Sequence, residues 1–353
     1  MVKRYLILSL AFYAGIATVL AGNKERVGQA GATQLLINPW TRSSGWCGAN
    51  TASVRGIEAT YLNVAGLAFT PKTELLFTRT QWLKGTDINI NAFGLSQRIG
   101  ETSVLGLNFM SMDMGDIEIT TTDQPEGGIG TFSPQFFNMG LSYAKAFSDN
   151  IYGGLNLKII SEGIADVKAR GVALDAGIQY VTGKWNRVKF GIALKNVGPR
   201  MTYRGDGLSF NASVLSTGTI LTAEQRSSDF ELPSMVNIGG SYDFYLKKDT
   251  AEIKMHRLTV AGNFVSNSFS KDQYVVGLEY GLKSFLMLRA GYLFEDGIHK
   301  EDERTTAFTG PHAGFGVEVP FGKEKKSTFG IDYSYRATNP FNGVHSFGAR
   351  LSL

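Results

Sequence analysis

Cysteine is almost missing from this chain: Cys47 is the single one in 353 residues. One thiol excludes an internal disulfide framework and a Cys-rich metal site, and an exported protein with one buried thiol is the simple reading. Histidine is nearly as scarce. His256, His299, His312 and His345 are scattered without metal-ligand spacing, so zinc chemistry has little support. Charge of one sign is never concentrated: 35 basic and 31 acidic residues are mixed along the chain, without the basic stripe that nucleic-acid binding needs, and nucleic acid is discarded as a partner. There is no GxSxG elbow and no phosphate-binding glycine loop, and the acidic run Glu301-Asp302-Glu303 reads as a solvated loop. No catalytic residue, metal site or cofactor site emerges, and the chain is read as non-enzymatic. A membrane-embedded hydrolase would require a converging His, Ser and carboxylate set, which the sequence does not display.

Long hydrophobic runs are also missing, with one exception. Lys3 and Arg4 precede the apolar run Tyr5 to Leu20, and the small residues Ala21 and Gly22 follow. That order of charge, apolar core and small residues predicts a secretory signal peptide over residues 1–22. The rival, a permanent helical anchor, lacks a basic stop-transfer cluster behind it.

What the chain has in abundance is alternation. Mean hydropathy is near zero, as expected where only every second side chain must face lipid. Glycine (42), Phe (23) and Tyr (14) suit closely packed strands with aromatic rings, and proline is scarce at 9. Fourteen segments read as strands: Thr73 to Leu83, Asp87 to Ile99, Thr102 to Asp113, Pro134 to Phe147, Ile151 to Glu162, Ala169 to Thr182, Arg187 to Val197, Leu232 to Leu246, Met255 to Ser266, Asp272 to Gly281, Ser284 to Phe294, Gly310 to Val319, Ser327 to Arg336 and Val344 to Leu353. This predicts an all-β fold, a 14-stranded antiparallel transmembrane β-barrel over residues 73–353, in the outer membrane of a Gram-negative bacterium.

The connectors alternate in length, as bacterial barrels require. Every long one, Met114 to Ser133, Gly198 to Glu231 and Glu295 to Thr309, falls in one set, while tight turns such as Gly100-Glu101 and Ser148 to Asn150 fall in the other. The long set is expected outside the cell, with both barrel ends in the periplasm. Within strands, period-two parity puts Leu155, Leu157 and Ile159 opposite Asn156 and Lys158, and Phe329, Ile331 and Tyr333 opposite Asp332 and Ser334. The inward charges Lys158, Lys189, Lys195, Arg289 and Arg336 balance Asp175, Asp243, Glu279, Glu318 and Asp332. They either brace a wet lumen or line a polar path for a ligand. Aromatic residues toward strand ends, Tyr143, Tyr180, Tyr242, Phe244, Tyr292 and Phe294 among them, suit interfacial girdles. Residues 23–72 are rich in small side chains and not strand-like, and are assigned as a hatch that plugs the lumen.

The run Thr41-Arg42-Ser43-Ser44-Gly45-Trp46-Cys47-Gly48-Ala49, followed by Tyr61-Leu62-Asn63-Val64-Ala65-Gly66-Leu67-Ala68-Phe69, resembles the amino-terminal signature of the PorV/PorQ family. Later phrases, Gly140-Leu141-Ser142-Tyr143-Ala144 and Leu194-Lys195-Asn196-Val197-Gly198-Pro199, are similar too. Val64 stands where the family usually has proline, and Trp46-Cys47 replace smaller residues. The resemblance implies a FadL-like barrel of the type IX secretion system, with a hatch that includes Arg42, Gly45, Trp46, Asn63, Ala65 and Phe69. It also implies partners: translocon, attachment-complex or cargo proteins, beside the outer-membrane lipid. The loop 198–231 is more apolar than a solvated loop needs, and Met201, Tyr203, Leu208, Phe210, Leu215 and Ile220 are its candidate partner-binding residues. The alternative is a FadL-like transporter for a small hydrophobic ligand, which calls for an apolar pocket beneath the outer loops.

Overall fold

In the computed structural model, residues 24–214, 218–245, 256–283, 285–322 and 327–353 are described; the expected signal peptide and Leu215 lie outside them. Fourteen long strands form the body: β1 Thr73–Gln81, β2 Asn89–Arg98, β3 Ser103–Asp113, β4 Gln135–Ala146, β5 Ile151–Ile164, β6 Val167–Thr182 and β7 Val188–Val197, then β8 Met235–Tyr245, β9 His256–Asn267, β10 Gln273–Leu282, β11 Leu286–Glu295, β12 Phe308–Phe321, β13 Ser327–Thr338 and β14 Val344–Ser352. Each pairs antiparallel with its neighbours in sequence, and β1 pairs with β14 from Glu74↔Ser352 to Gln81↔His345, which closes the cylinder. The two-residue strand Tyr203–Arg204 is added to β6 beyond the end of β7 and makes a fifteenth member of the sheet.

Period-two sequence becomes a two-faced wall. Along β5, Leu155, Leu157 and Ile159 are exposed on the outside while Asn156, Lys158 and Ile160 are buried inside. The same division runs round the barrel, with Ile178, Ile192, Val276, Ile331 and Phe347 on the outer surface. Nothing in water would stabilise such a continuous apolar exterior, whereas lipid does. Among the described residues no helix is long and apolar enough to cross a membrane; here the strands cross.

Where boundaries differ from the sequence reading, pairing explains it. The expected connector Gly163 to Lys168 shrinks to Ala165-Asp166, because Gly163↔Lys168 and Ile164↔Val167 extend the hairpin outward. The long connectors carry hairpins of their own, Ile117–Glu118 with Thr131–Phe132 and Ser209–Val214 with Thr219–Glu224. Between β6 and β7 the register shifts at Leu174/Ala176, and Asn196 takes a φ of 58°. That bulge lets two successive side chains, Lys195 and Asn196, both face inward.

Most of the inward charges are held in ion pairs. Lys158 meets Asp175 at 2.6 Å, Lys189 meets Asp243 at 2.6 Å, and Arg289 bridges Glu279 at 2.8 Å and Asp332 at 2.7 Å. Arg257 completes the Glu279 site, and Arg350 holds Glu318 at 2.6 Å. Lys195 and Arg336 are buried but have no carboxylate partner among the described residues.

Much of the segment 24–72 packs inside the barrel, and glycines on the inner wall make the space. Gly94, Gly106, Gly154, Gly177, Gly191, Gly239, Gly277, Gly291, Gly314 and Gly348 each lie directly against this segment. A Cβ on Gly291 would come within 2.5 Å of the Trp46 carbonyl carbon, and one on Gly191 within 2.7 Å of the Thr51 oxygen. In both places the obstacle is backbone, which cannot swing aside as a side chain would. Gly291→Val is therefore expected to weaken docking of the segment by about 1–3 kcal/mol, the usual cost of overpacking, while the barrel still closes. Limited proteolysis checks this: faster cleavage near Trp46 with an unchanged heat-dependent gel shift is expected, and an unchanged cleavage rate would contradict it.

Candidate functional site

The internal segment holds its shape through local hydrogen bonds. Asn63 caps the 3₁₀ turn Val64–Phe69 by accepting from the Ala65 N–H at 3.2 Å. The other end of the same amide donates to Thr51 O at 3.1 Å and to Ile178 O of β6 at 3.0 Å, so one side chain ties segment to wall. Ser43 donates to Glu58 at 2.7 Å, and Arg42 approaches the same carboxylate at 3.7 Å. Burial works against the charge on Arg42, but Glu279, Glu58, Asp332 and Glu318 outweigh it and raise the guanidinium above its ordinary range. The first residues dock at the long-loop end, where Gly31 N–H donates to Glu231 O at 3.0 Å and Arg26 meets the Glu231 carboxylate at 3.0 Å. The last residues reach the opposite end, where Arg98 donates to Ala68 O at 2.9 Å and to Thr70 O at 2.6 Å.

Among the described residues two sizeable cavities flank the segment. The first, about 520 Å³, opens toward the long loops and is mostly apolar. Leu36, Ile37, Tyr61 and Leu62 of the segment form one side, and Trp82, Ile88, Met112, Met114 and Phe136 line the wall. Lys195, Asn237, Asn263, Asn267, Gln273, His312 and Arg336 are among its polar wall groups, and none of the described residues lining it is acidic. The second, about 500 Å³, lies at the short-turn end and is polar, with Arg55, Lys189, Arg257 and Arg350 facing Glu58, Glu74, Asp243, Glu279 and Glu318. A ligand pocket of 300–1,000 Å³ with apolar walls and few polar groups is the usual form of a small-molecule site. The first cavity fits that form.

Within it, Cys47 Sγ lies 3.7 Å from His312 Nε2. His312 Nδ1 sits 3.3 Å from Ser44 O, and a carbonyl can only accept, so the proton belongs on Nδ1 and Nε2 faces the thiol as an acceptor. Burial pushes the Cys47 thiol well above its ordinary range, although Arg336 opposes the shift. At neutral pH the group is a protonated thiol, weak as a nucleophile. Among the described residues no group of three or more His, Cys, Asp or Glu is placed to hold a metal.

The residues expected in the hatch fall together in the segment. Gly45 stacks on Gly314, Trp46 packs with Ala49, Val275, Leu293 and Ile298, and Ala65 is fully buried. Phe69 stacks on Tyr152 at 4.1 Å and lies under Arg55 at 4.6 Å. The candidate partner residues separate. Met201 is buried against Gly171 with Ile160, Ala169 and Leu232, and Tyr203 donates to Glu162 at 2.5 Å. Leu208 is half-buried, whereas Phe210 and Ile220 are exposed on the hairpin. Of the cavity wall, Lys195 and Arg336 were named from sequence; Asn237 and Asn263 were not, though both lie on the inward parity of their strands.

No family model matches the chain, and no curated protein matches it. Solved structures do. The Pseudomonas putida toluene transporter TodX superposes with a TM-score of 0.55 at 12% identity, covering 89% of this chain and 97% of that one. The CymD monoaromatic hydrocarbon channel gives 0.52 at 12% identity, over 90% and 97%. A Pseudomonas aeruginosa FadL homologue gives 0.50 at 11% identity, over 88% and 98%. The chain thus has the fold of an outer-membrane β-barrel, and in particular the FadL-like fourteen-strand form. Two of these neighbours are described as a toluene transporter and a monoaromatic hydrocarbon channel.

The thiol supplies a direct check on the cavity. Folded protein in nanodiscs near neutral pH is expected to react with iodoacetamide at least about tenfold more slowly than the same protein unfolded in guanidinium. Mass spectrometry at Cys47 reads the difference, and equal rates would show that the thiol is freely reached and ionised.

Proposed function

We propose that this protein is an outer-membrane channel for small hydrophobic compounds, with the cavity of about 520 Å³ as its binding chamber and residues 24–72 as the hatch beneath it. One observation carries the reading: the apolar chamber lies between the long loops and the internal segment, where a compound arriving from that side is desolvated before it meets the polar lumen. The solved channels of the same fold support it, since they are described as carrying toluene and monoaromatic hydrocarbons. The long-loop end is taken as extracellular and both barrel ends as periplasmic, in keeping with the asymmetry of the connectors.

The test is uptake. In a Gram-negative host lacking comparable channels, expression is expected to raise the initial rate of uptake of radiolabelled naphthalene severalfold over the empty vector. Met112→Trp, which fills the chamber, should return the rate to background at equal membrane abundance. Uptake indifferent to expression would end the proposal.

A secretion role has one structural observation in its favour. The hairpin Ser209–Val214/Thr219–Glu224 presents Phe210, Ile220 and Leu221 to solvent, with exposures of 52%, 70% and 53%. Such residues suit contact with another protein, here a cargo or attachment component of the type IX pathway. Deleting residues 209–224 is expected to leave the barrel assembled and reduce co-purifying surface proteins; an unchanged set would remove this second reading.

A further inference from the structure

The wall of the chamber formed by β7, β8 and β9 is not apolar, and several of its polar atoms have no hydrogen-bond partner among the described residues. Lys195, Asn237 and Asn263 are 2%, 3% and 6% exposed. They are diagonal neighbours across adjacent strands: Lys195 pairs with Met235, two residues before Asn237, and Asn237 pairs with Val265, two residues after Asn263. Inward side chains in that relation stand about 7–8 Å apart. The three therefore descend as a strip from the long-loop end toward the internal segment.

Among the described residues, the Oδ1 atoms of Asn237 and Asn263 accept no hydrogen bond. On the segment, Gln34 is 2% exposed, lines the same cavity, and neither Oε1 nor Nε2 of its amide is paired. The Lys195 ammonium lies 3.6 Å from the centre of the Tyr61 ring, so its contact is the face of an aromatic rather than a carboxylate. Elsewhere in the lumen buried lysines take a different form, with Lys158 and Lys189 each in an ion pair. A chamber meant for hydrocarbon alone has no use for such groups, because each amide left without a partner costs free energy.

We propose that this strip selects oxygenated ligands, apolar molecules that carry hydroxyl groups, over bare hydrocarbons. The Asn237, Asn263 and Gln34 amides, whose oxygens are enclosed, turn about their last side-chain torsion to accept from ligand hydroxyls, and the Lys195 ammonium donates to a ligand oxygen. The carbon skeleton lies against Trp82 and Phe136 on the facing wall. The inference rests on the reading of this cavity as the binding chamber, and it makes the strip the specificity element of that chamber.

Naphthalene and 2-naphthol differ by one hydroxyl and test it. Equilibrium dialysis against the protein in nanodiscs, with empty nanodiscs subtracted, measures both. The wild type is expected to bind 2-naphthol at least about tenfold more tightly than naphthalene. The double variant Asn237→Leu/Asn263→Leu should lose that preference by weakening 2-naphthol while naphthalene is held as before, and Lys195→Met should lose part of it. Equal binding of the two compounds by the wild type, or a preference for naphthalene, overturns the inference and leaves the binding chamber standing. Binding of neither compound to the wild type overturns both.

Discussion

A backbone amide facing hydrocarbon has no water to turn to, so a sheet that crosses lipid must leave no edge unpaired. Everything else in this protein follows from the one seam that meets this demand, the pairing of β1 with β14 from Glu74↔Ser352 to Gln81↔His345. At its foot, Leu353 N–H donates to Thr73 O at 2.8 Å. Closure fixes an inside and an outside, and the period of two then sorts every strand into a face for lipid and a face for the lumen. The apolar exterior is the cost-free part. The interior is harder, since polar side chains, a folded segment and usable space must share one cylinder.

The inner wall meets that demand in three ways at different heights. At the short-turn end, charges of both signs neutralise each other in networks such as Arg257–Glu279–Arg289–Asp332. A buried pair of this kind adds little net stability, but removal of one partner strands the other. At mid-height, glycines give up their side chains so that the segment's backbone can lie against the wall. Toward the long loops lies the apolar chamber, whose lining among the described residues includes cations and amides but no carboxylate. The gradient from neutralised to uncompensated polar groups gives the two ends of the lumen different chemistry.

Strand number, closure order and inward charge were legible in the sequence because parity is local: Lys158, Asp175, Arg289 and Asp332 sit on the inner face as their neighbours predict. Pairing partners were not legible, because Arg289 is joined to Asp332 by the register of β11, β12 and β13, and register is a property of the whole wall. The belt of glycines was visible as composition, yet its meaning depends on Trp46, Thr51 and Ala49 lying against it. The chamber was hidden for the same reason. Trp82, Phe136 and Asn237 are far apart in sequence, and Lys195 reads as one more member of a balanced set until its missing partner is seen. In the loop, exposure divided residues that share an apolar character: Met201 is covered by the wall, and Phe210 is not.

The segment that packs inside the barrel is fastened at both mouths, by Arg26 and Gly31 to Glu231 at one and by its covalent junction with β1 beside Arg98 at the other. It is thus a thread drawn through a ring, not a door hung on a hinge. In the proposed channel, passage depends on how readily the middle of the thread, from Trp40 to Thr70, loosens between its two ends.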